Sequence, residues 1–301
     1  MKGIILAGGA GTRLYPLTIV TSKQLLPVYN KPMIYYPLST LMLAKIREVL
    51  IISTPEDTPR IKQLLGDGSQ FGMQLEYAIQ DKPEGLAQAF TIGREFIGDD
   101  CCAMILGDNI FYGNGLNAKL LAAVKMAEQG LATIFGYYVE DPERFGIMEF
   151  ERVSEDRDSG LRVISVEEKP AAPKSNYAIV GLYFYPAGVS EMAEKVKPSE
   201  RGELEITTLN DMYLKEGRLH AQLLGRGFTW MDAGTIDSLR RATNFVCMIE
   251  QYQGMSISAP EEIAYRFKWI SKEQLKESAD RYGKSPYGEH LRAVLEDRIV
   301  I

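Results

Sequence analysis

Short apolar runs alternating with amphipathic stretches of helical period constrain this chain more than any other feature. The runs are Gly3–Ala7, Val49–Ser53, Leu75–Ile79, Ala103–Leu106 and Ala132–Tyr138. Between them lie Met33–Ile46, Arg60–Leu65, Leu86–Phe96 and Leu116–Gln129, which carry helical spacing. Strands of this kind, separated by helices, form βαβ units and a mostly parallel sheet covered on both faces. In such sheets ligands bind beyond the carboxyl ends of the strands, so each strand end is a candidate site.

The rhythm changes after Val139. Gly146–Glu151, Leu161–Glu167 and Ile179–Tyr185 read as strands with few helices between them, and the polar segments Ser154–Gly160 and Ala171–Asn176 read as turns. Helices are predicted at Gly188–Val196 and Glu205–Glu216, strands at His220–Leu224 and Phe228–Met231, then helices including Ile236–Gln251 and Lys272–Ser278. The expectation is an α/β fold with a Rossmann-like, mixed but mostly parallel central sheet flanked by helices. An antiparallel extension and a helical C-terminal appendage complete it. The α/β domain is placed at 1–253, with halves of about 1–138 and 139–235, and the appendage at 254–301.

The first strand end is "LAGGAGTRLYPLT", residues 6–18. Glycine inside a loop carries an entropic penalty and calls for a reason, such as positive φ or close approach of another group. A glycine turn after a strand frees backbone N–H groups for an anion, and Arg13 adds a fixed fork of donors. The stretch reads as a phosphate cradle. The dinucleotide fingerprint would need glycine at position 14, where Leu14 stands, and Ser53-Thr54-Pro55 supplies no acid after the second strand. The Walker loop fails too, because Ser278 occupies the place of its first glycine before Gly283-Lys284-Ser285.

Composition narrows the chemistry. A net charge of −6 argues against a general nucleic-acid binder. Three cysteines without C-x-x-C spacing argue against a disulfide framework or a zinc site, and point to a reducing cytoplasm. Two histidines make Ser-His-Asp hydrolysis and His-ligated zinc poor bets. Ile4–Ala7 is too short for a signal peptide, and no apolar run is long enough to span a membrane.

Taken with "SKQLLPVYNKPMIYYPL" (22–38), the glycine loop resembles the sugar-phosphate nucleotidylyltransferases, whose pattern is G-G-x-G-T-R-L, then K-x-L-[LV]-P-[VI], then K-P-[ML]. The resemblance recurs at "EGLAQAF" (84–90), "LGDNIFYG" (106–113), "DPERFGIMEF" (141–150), "VEEKP" (166–170), "KSNYAIVGLYFY" (174–185), "RGELEIT" (201–207) and "RGFTWMDAGT" (226–235). Departures are small: Ile179-Val180 where relatives often show Val-Thr, and "WMDAGT" for W-L-D-T-G-T. The implied substrates are dTTP and glucose 1-phosphate, and the products dTDP-glucose and pyrophosphate. No nucleophilic side chain is required, since two anions need only be positioned and neutralised.

The resemblance also implies site roles. Leu6, Gly8, Gly9, Gly11, Thr12 and Arg13 would surround the nucleotide, with Gln80 on the pyrimidine edge and Gly85 leaving room for the base. Arg13 and Lys23 would carry positive charge to the reacting phosphates, Lys23 also holding the sugar phosphate. Asp108 and Asp232 each follow or end a strand-like run, a suitable place for carboxylates that hold Mg²⁺ against a triphosphate. Arg13, Lys23, Asp108 and Asp232 form the catalytic set. Gly146, Glu168, Lys169, Ile179 and Tyr183 would line the hexose, and Asp232 would face its phosphate. By the same resemblance the appendage supports a homotetramer and a second nucleotide-sugar site, where dTDP-rhamnose inhibits as feedback. A uridylyl- or cytidylyltransferase on the same fold, and a catalytically idle nucleotide-sugar-binding regulator, are the alternatives.

Overall fold

The computed structural model describes residues 1–154 and 160–299; within the expected turn at Ser154–Gly160, positions 155–159 lie outside the described residues. The strand Lys2–Leu6 lies between Glu48–Ser53 and Cys102–Leu106 and runs parallel to both. Gln74–Ile79 adds a further parallel strand beside Glu48–Ser53. On the other side the sheet changes sense: Tyr177–Tyr185 runs antiparallel to Cys102–Leu106 and to Ala132–Tyr138. Leu219–Leu223 pairs parallel with Ala132–Tyr138, and the hairpin of Gly146–Arg152 and Leu161–Glu168 joins Tyr177–Tyr185 through the pairing of Ile147 with Ala178. Among the described residues the sheet has nine strands, parallel where strands and helices alternate and mostly antiparallel where the helices are sparse.

Strand side chains alternate between the two faces, and each face has its own helices. Ile5, Ile51 and Ile105 pack with Leu38, Ile61 and Leu120, which belong to the helices Tyr35–Leu43, Thr58–Leu65 and Leu116–Glu128. Their neighbours Ile4, Ile52 and Met104 pack on the opposite side with Phe90, Val189 and Leu209, from Gln88–Ile92, Val189–Ala193 and Ile206–Lys215.

One expectation needs correction. The predicted helix Leu86–Phe96 is two short helices, Gln88–Ile92 and Arg94–Ile97, divided at Gly93. A Cβ on Gly93 would stand 3.1 Å from Ile4 Cδ1 and 3.2 Å from Leu50 Cδ2, so the break lies where the chain presses on the sheet. The predicted strand Phe228–Met231 is present as Phe228–Asp232, outside the large sheet. It pairs antiparallel with Asn109–Gly113, a strand not anticipated from the sequence, in a separate two-stranded sheet.

The C-terminal stretch is helical: Ile236–Gln253, Pro260–Arg266, Lys272–Tyr282 and Pro286–Leu295. Gly254, at φ 68°, ends the first of these in the left-handed region that favours glycine. The later helices rest on Tyr35–Leu43, where the Tyr35 ring meets Phe71 and Tyr287 edge-on. A buried ion pair, Lys31 Nζ to Glu250 Oε1 at 2.9 Å, ties the segment after the glycine loop to this bundle. No helix among the described residues is long and apolar enough to cross a membrane.

Candidate active site

A cleft of about 360 Å³ opens at the carboxyl ends of the parallel strands. Leu6, Gly8, Gly9, Arg13, Lys23, Gln80, Gly85, Asp108, Gly146, Glu168, Lys169, Ile179, Tyr183 and Asp232 all line it. Gly11 and Thr12, expected among the nucleotide-binding residues, stand outside its wall. They build the turn instead: Gly11 takes φ 59°, its carbonyl accepts from Thr18 Oγ1 at 2.8 Å, and Thr12–Leu14 form a single 3-10 turn carrying Arg13.

At the first end the walls are mainly backbone. A Cβ on Gly8 would overlap Gln80 Oε1, so the absent side chain is what admits the glutamine. Gly85, at φ 119°, has no room for a Cβ against the backbone of Leu204. Gln80 is buried; its Nε2 donates to Gln88 Oε1 at 2.6 Å.

In the middle, the two-stranded sheet brings Asp232 opposite Asn109, and the Ala233 N–H donates to the Asp108 carbonyl at 3.0 Å. Two carboxylates far apart in sequence thereby share one site. Lys23 Nζ lies 2.5 Å from Asp108 Oδ2. Gly234 donates its N–H to Asp232 Oδ1 at 2.9 Å, and a Cβ there would stand 2.9 Å from Arg13 Nη2 and 3.4 Å from Asp108 Oδ2. Gly234 is therefore the space around which Arg13, Asp108 and Asp232 converge.

The two carboxyls titrate in opposite directions. Burial pushes Asp108 up, but the Lys23 ammonium and the amide of Asn109 outweigh it and hold the carboxyl below the usual range. Burial and the charge of Asp108 together raise Asp232, against the pull of Lys23 and Arg13. A hard divalent cation would relieve that crowding. Mg²⁺ commonly takes only one or two protein carboxylates beside substrate phosphates and water. Among the described residues no group of three or more His, Cys, Asp or Glu side chains gathers to hold a metal by itself. The donor set at Asp108 and Asp232 fits an ion that arrives with a polyphosphate.

The far end is made of side chains. Thr207 Oγ1 donates to Glu168 Oε2 at 2.5 Å, and a Cβ on Gly146 would meet both groups, at 2.9 and 3.1 Å. Glu168 Oε1 lies 3.6 Å from Lys169 Nζ and 3.6 Å from Arg201 Nη1. Lys169 takes φ 43°, an unusual backbone for a lysine, at the end of the strand Leu161–Glu168. Ile179 and Tyr183 project from Tyr177–Tyr185, and burial with the nearby Glu168 charge pushes the Tyr183 hydroxyl up.

Sequence reasoning missed several participants. Asn109 is buried; its Oδ1 accepts from Trp230 Nε1 at 2.6 Å and from the Gly181 N–H at 3.2 Å, while its Nδ2 donates to Asp108 Oδ1 at 3.1 Å. Thr207, Glu205, Trp230 and Arg144 also line the cleft. They stood inside motifs already singled out, yet only the folded chain gives each a partner.

A glycine turn with adjacent cations, paired carboxylates and a polar chamber share one cleft of this α/β fold, an arrangement suited to holding a polyphosphate against a second anion. The model for the nucleotidyl transferase family matches residues 2–248, and the chain belongs to that family. It is 54% identical over 296 residues to the glucose-1-phosphate thymidylyltransferase of Neisseria meningitidis, covering 98% of this chain and all of that one. It is 52% identical, over 98% of this chain and 99% of the relative, to the enzyme of the same name from Mycobacterium tuberculosis. The crystal structure of a UDP-glucose pyrophosphorylase complexed with UDP-glucose superposes with a TM-score of 0.72 at 22% identity, over 82% of this chain and 98% of that one, a likeness of fold.

Proposed function

We propose that the protein joins dTTP and glucose 1-phosphate, giving dTDP-glucose and pyrophosphate. The observation that carries this reading is the convergence of Arg13, Lys23, Asp108 and Asp232 between a backbone-walled chamber and a hydroxyl-matching one. The names borne by relatives more than half identical over nearly the whole chain supply the base and the sugar.

In this reading the thymine lies against Gln80 and Gly85, and the free N–H groups of the glycine turn face the triphosphate. Glucose occupies the chamber of Gly146, Glu168, Ile179, Tyr183 and Thr207, its phosphate drawn toward Lys169 and Lys23. A phosphate oxygen of the sugar attacks the α-phosphorus in line. The bond from that phosphorus to the bridging oxygen breaks, and pyrophosphate leaves with the electron pair. Arg13 accompanies the growing charge on the leaving group, and Lys23 neutralises the approach of two anions. Mg²⁺ held by Asp108 and Asp232 would supply Lewis-acid polarisation of the phosphate oxygens. The helices after Gly254 would carry a homotetramer contact and the feedback site for dTDP-rhamnose, in a cytoplasmic enzyme.

The test is pyrophosphate release with Mg²⁺, glucose 1-phosphate and each of dTTP, UTP, CTP, ATP and GTP. The expected outcome is a clear preference for dTTP. Preference for UTP or CTP keeps the chemistry and replaces the base, while silence with all five moves the reading to a nucleotide-sugar-binding regulator. Sedimentation with and without dTDP-rhamnose checks the assembly.

A further inference from the structure

Gln88 lies outside the cleft wall, at the first position of the short helix Gln88–Ile92, yet it is bonded to Gln80, which lines the base chamber. Its own amide cannot turn over. The backbone N–H of Glu84 donates to Gln88 Oε1 at 3.1 Å, and a backbone N–H only donates, so an oxygen must face it. The other end agrees: Gln88 Nε2 donates to Glu84 Oε2 at 2.9 Å, and a carboxylate only accepts.

The same oxygen of Gln88 also receives Gln80 Nε2 at 2.6 Å. Turning the Gln80 amide would set two oxygens against each other, so the orientation of Gln88 dictates that of Gln80. What remains is Gln80 Oε1, directed at the bare α-carbon of Gly8 on the cleft wall. Gln80 is buried, 4% exposed, so water offers little compensation for a wrong partner.

We propose that Gln88 is a positioning residue for base selection: by locking the Gln80 amide it presents a carbonyl acceptor to the base chamber. This inference rests on the nucleotide reading above. A fixed acceptor suits a pyrimidine whose ring nitrogen carries a proton, as in thymine or uracil. It opposes cytosine, whose ring nitrogen at the same place is itself an acceptor. With a glutamine free to turn, either base is served, so the lock and not the glutamine alone makes the discrimination.

The experiment compares kcat/KM for dTTP and dCTP, with glucose 1-phosphate saturating, in the wild type and two variants. Gln88→Met keeps length but removes every hydrogen bond, and is expected to lower the dTTP to dCTP ratio by about 10-fold or more, the scale of one unmatched buried hydrogen-bonding group. The gain for dCTP should appear mainly in KM. The double variant Glu84→Gln/Gln88→Glu restores an acceptor toward Gln80 and a donor at position 84, and is expected to keep the wild-type ratio. A general loss of packing would lower both substrates together and leave the ratio unmoved. An unchanged ratio in Gln88→Met, or a collapsed ratio in the double variant, overturns the lock while the function stands. A wild type that shows no preference for dTTP over dCTP overturns the nucleotide reading itself.

Discussion

The two ends of the cleft are built differently. The nucleotide end is a strand terminus, a glycine turn and a second strand terminus, with Gly8 and Gly85 letting Gln80 and the Leu204 backbone close in where side chains would stand. The sugar end is a web of side chains from separate elements: Glu168 at the end of one strand and Lys169 just past it, Thr207 on a helix, Arg201 on the loop before that helix. The first depends on backbone shape and absent atoms, the second on matched polar groups. Backbone shape is written locally, whereas matched groups require the chain to return to the same place several times. The carboxylates and cations between them belong to both ends.

That contrast predicts a gradient of effects. The largest should come from the shared centre: Asp232→Asn is expected to lower kcat by on the order of 10²-fold or more with the fold intact, a scale typical of losing one transition-state charge contact. Near-normal turnover would remove Asp232 from the chemistry. Next, Arg13→Lys replaces a planar fork by a point charge, and about a 10-fold or greater fall in kcat is expected; full kcat would make Arg13 an ordinary binding cation.

Smaller effects should separate the ends. Gly8→Ala places a methyl against Gln80 Oε1 and is expected to raise KM for dTTP about 10-fold, leaving KM for glucose 1-phosphate nearly unchanged. Thr207→Val removes the hydroxyl bound to Glu168 and should do the reverse, raising KM for the sugar phosphate by about 5- to 10-fold. If both variants moved both constants equally, the cleft would be one coupled chamber and the distinction would fail.

The smallest effect is on stability and runs with opposite sign in two carboxyls. Asp108 titrates below its ordinary 3.8, because Lys23 and Asn109 overcome its burial, so its contribution is present above that pH and lost as pH falls through the lowered value. Glu205 sits above its ordinary 4.5, raised by burial and by the charges of Glu168 and Glu203 against Ser199 and Arg201. Its contribution is therefore present below pH 4.5 and lost as pH rises through the raised value. Melting temperatures followed from pH 3 to 7 should show Glu205→Gln losing less stability than the wild type over the upper window, by a few degrees. A parallel decline in both proteins would deny the raised Glu205.

Much of this architecture was legible in advance, for identifiable reasons. The runs Gly3–Ala7 and Ala103–Leu106 are apolar on both faces, which only a sheet covered twice requires, and the strands Lys2–Leu6 and Cys102–Leu106 do lie side by side in its interior. Arg13 and Lys23 were marked by the motifs they stand in. Asn109–Gly113 was not read as a strand, because Gly107, Asp108 and Asn109 resemble a turn and its partner Phe228–Asp232 is far along the chain. Gly93 inside a helical pattern carried no sign that Ile4 and Leu50 would press on it. The helix Pro260–Arg266 falls inside the stretch after Thr235 that reads mostly as helix, and Pro260 sits at its first turn, where proline is well tolerated.

The sequence by itself determined the alternation of strands and helices, the glycine turn at the first strand end and the identity of the charged side chains, since these follow from period, backbone freedom and side-chain chemistry over a few residues. Tertiary structure alone decided that Asp108 and Asp232 meet, that Gly234 leaves the gap they share with Arg13, and that Gln88 governs the face Gln80 presents. Each of those needs a register between distant segments. Such a register is set by the packing of the whole sheet, which no local run of residues encodes.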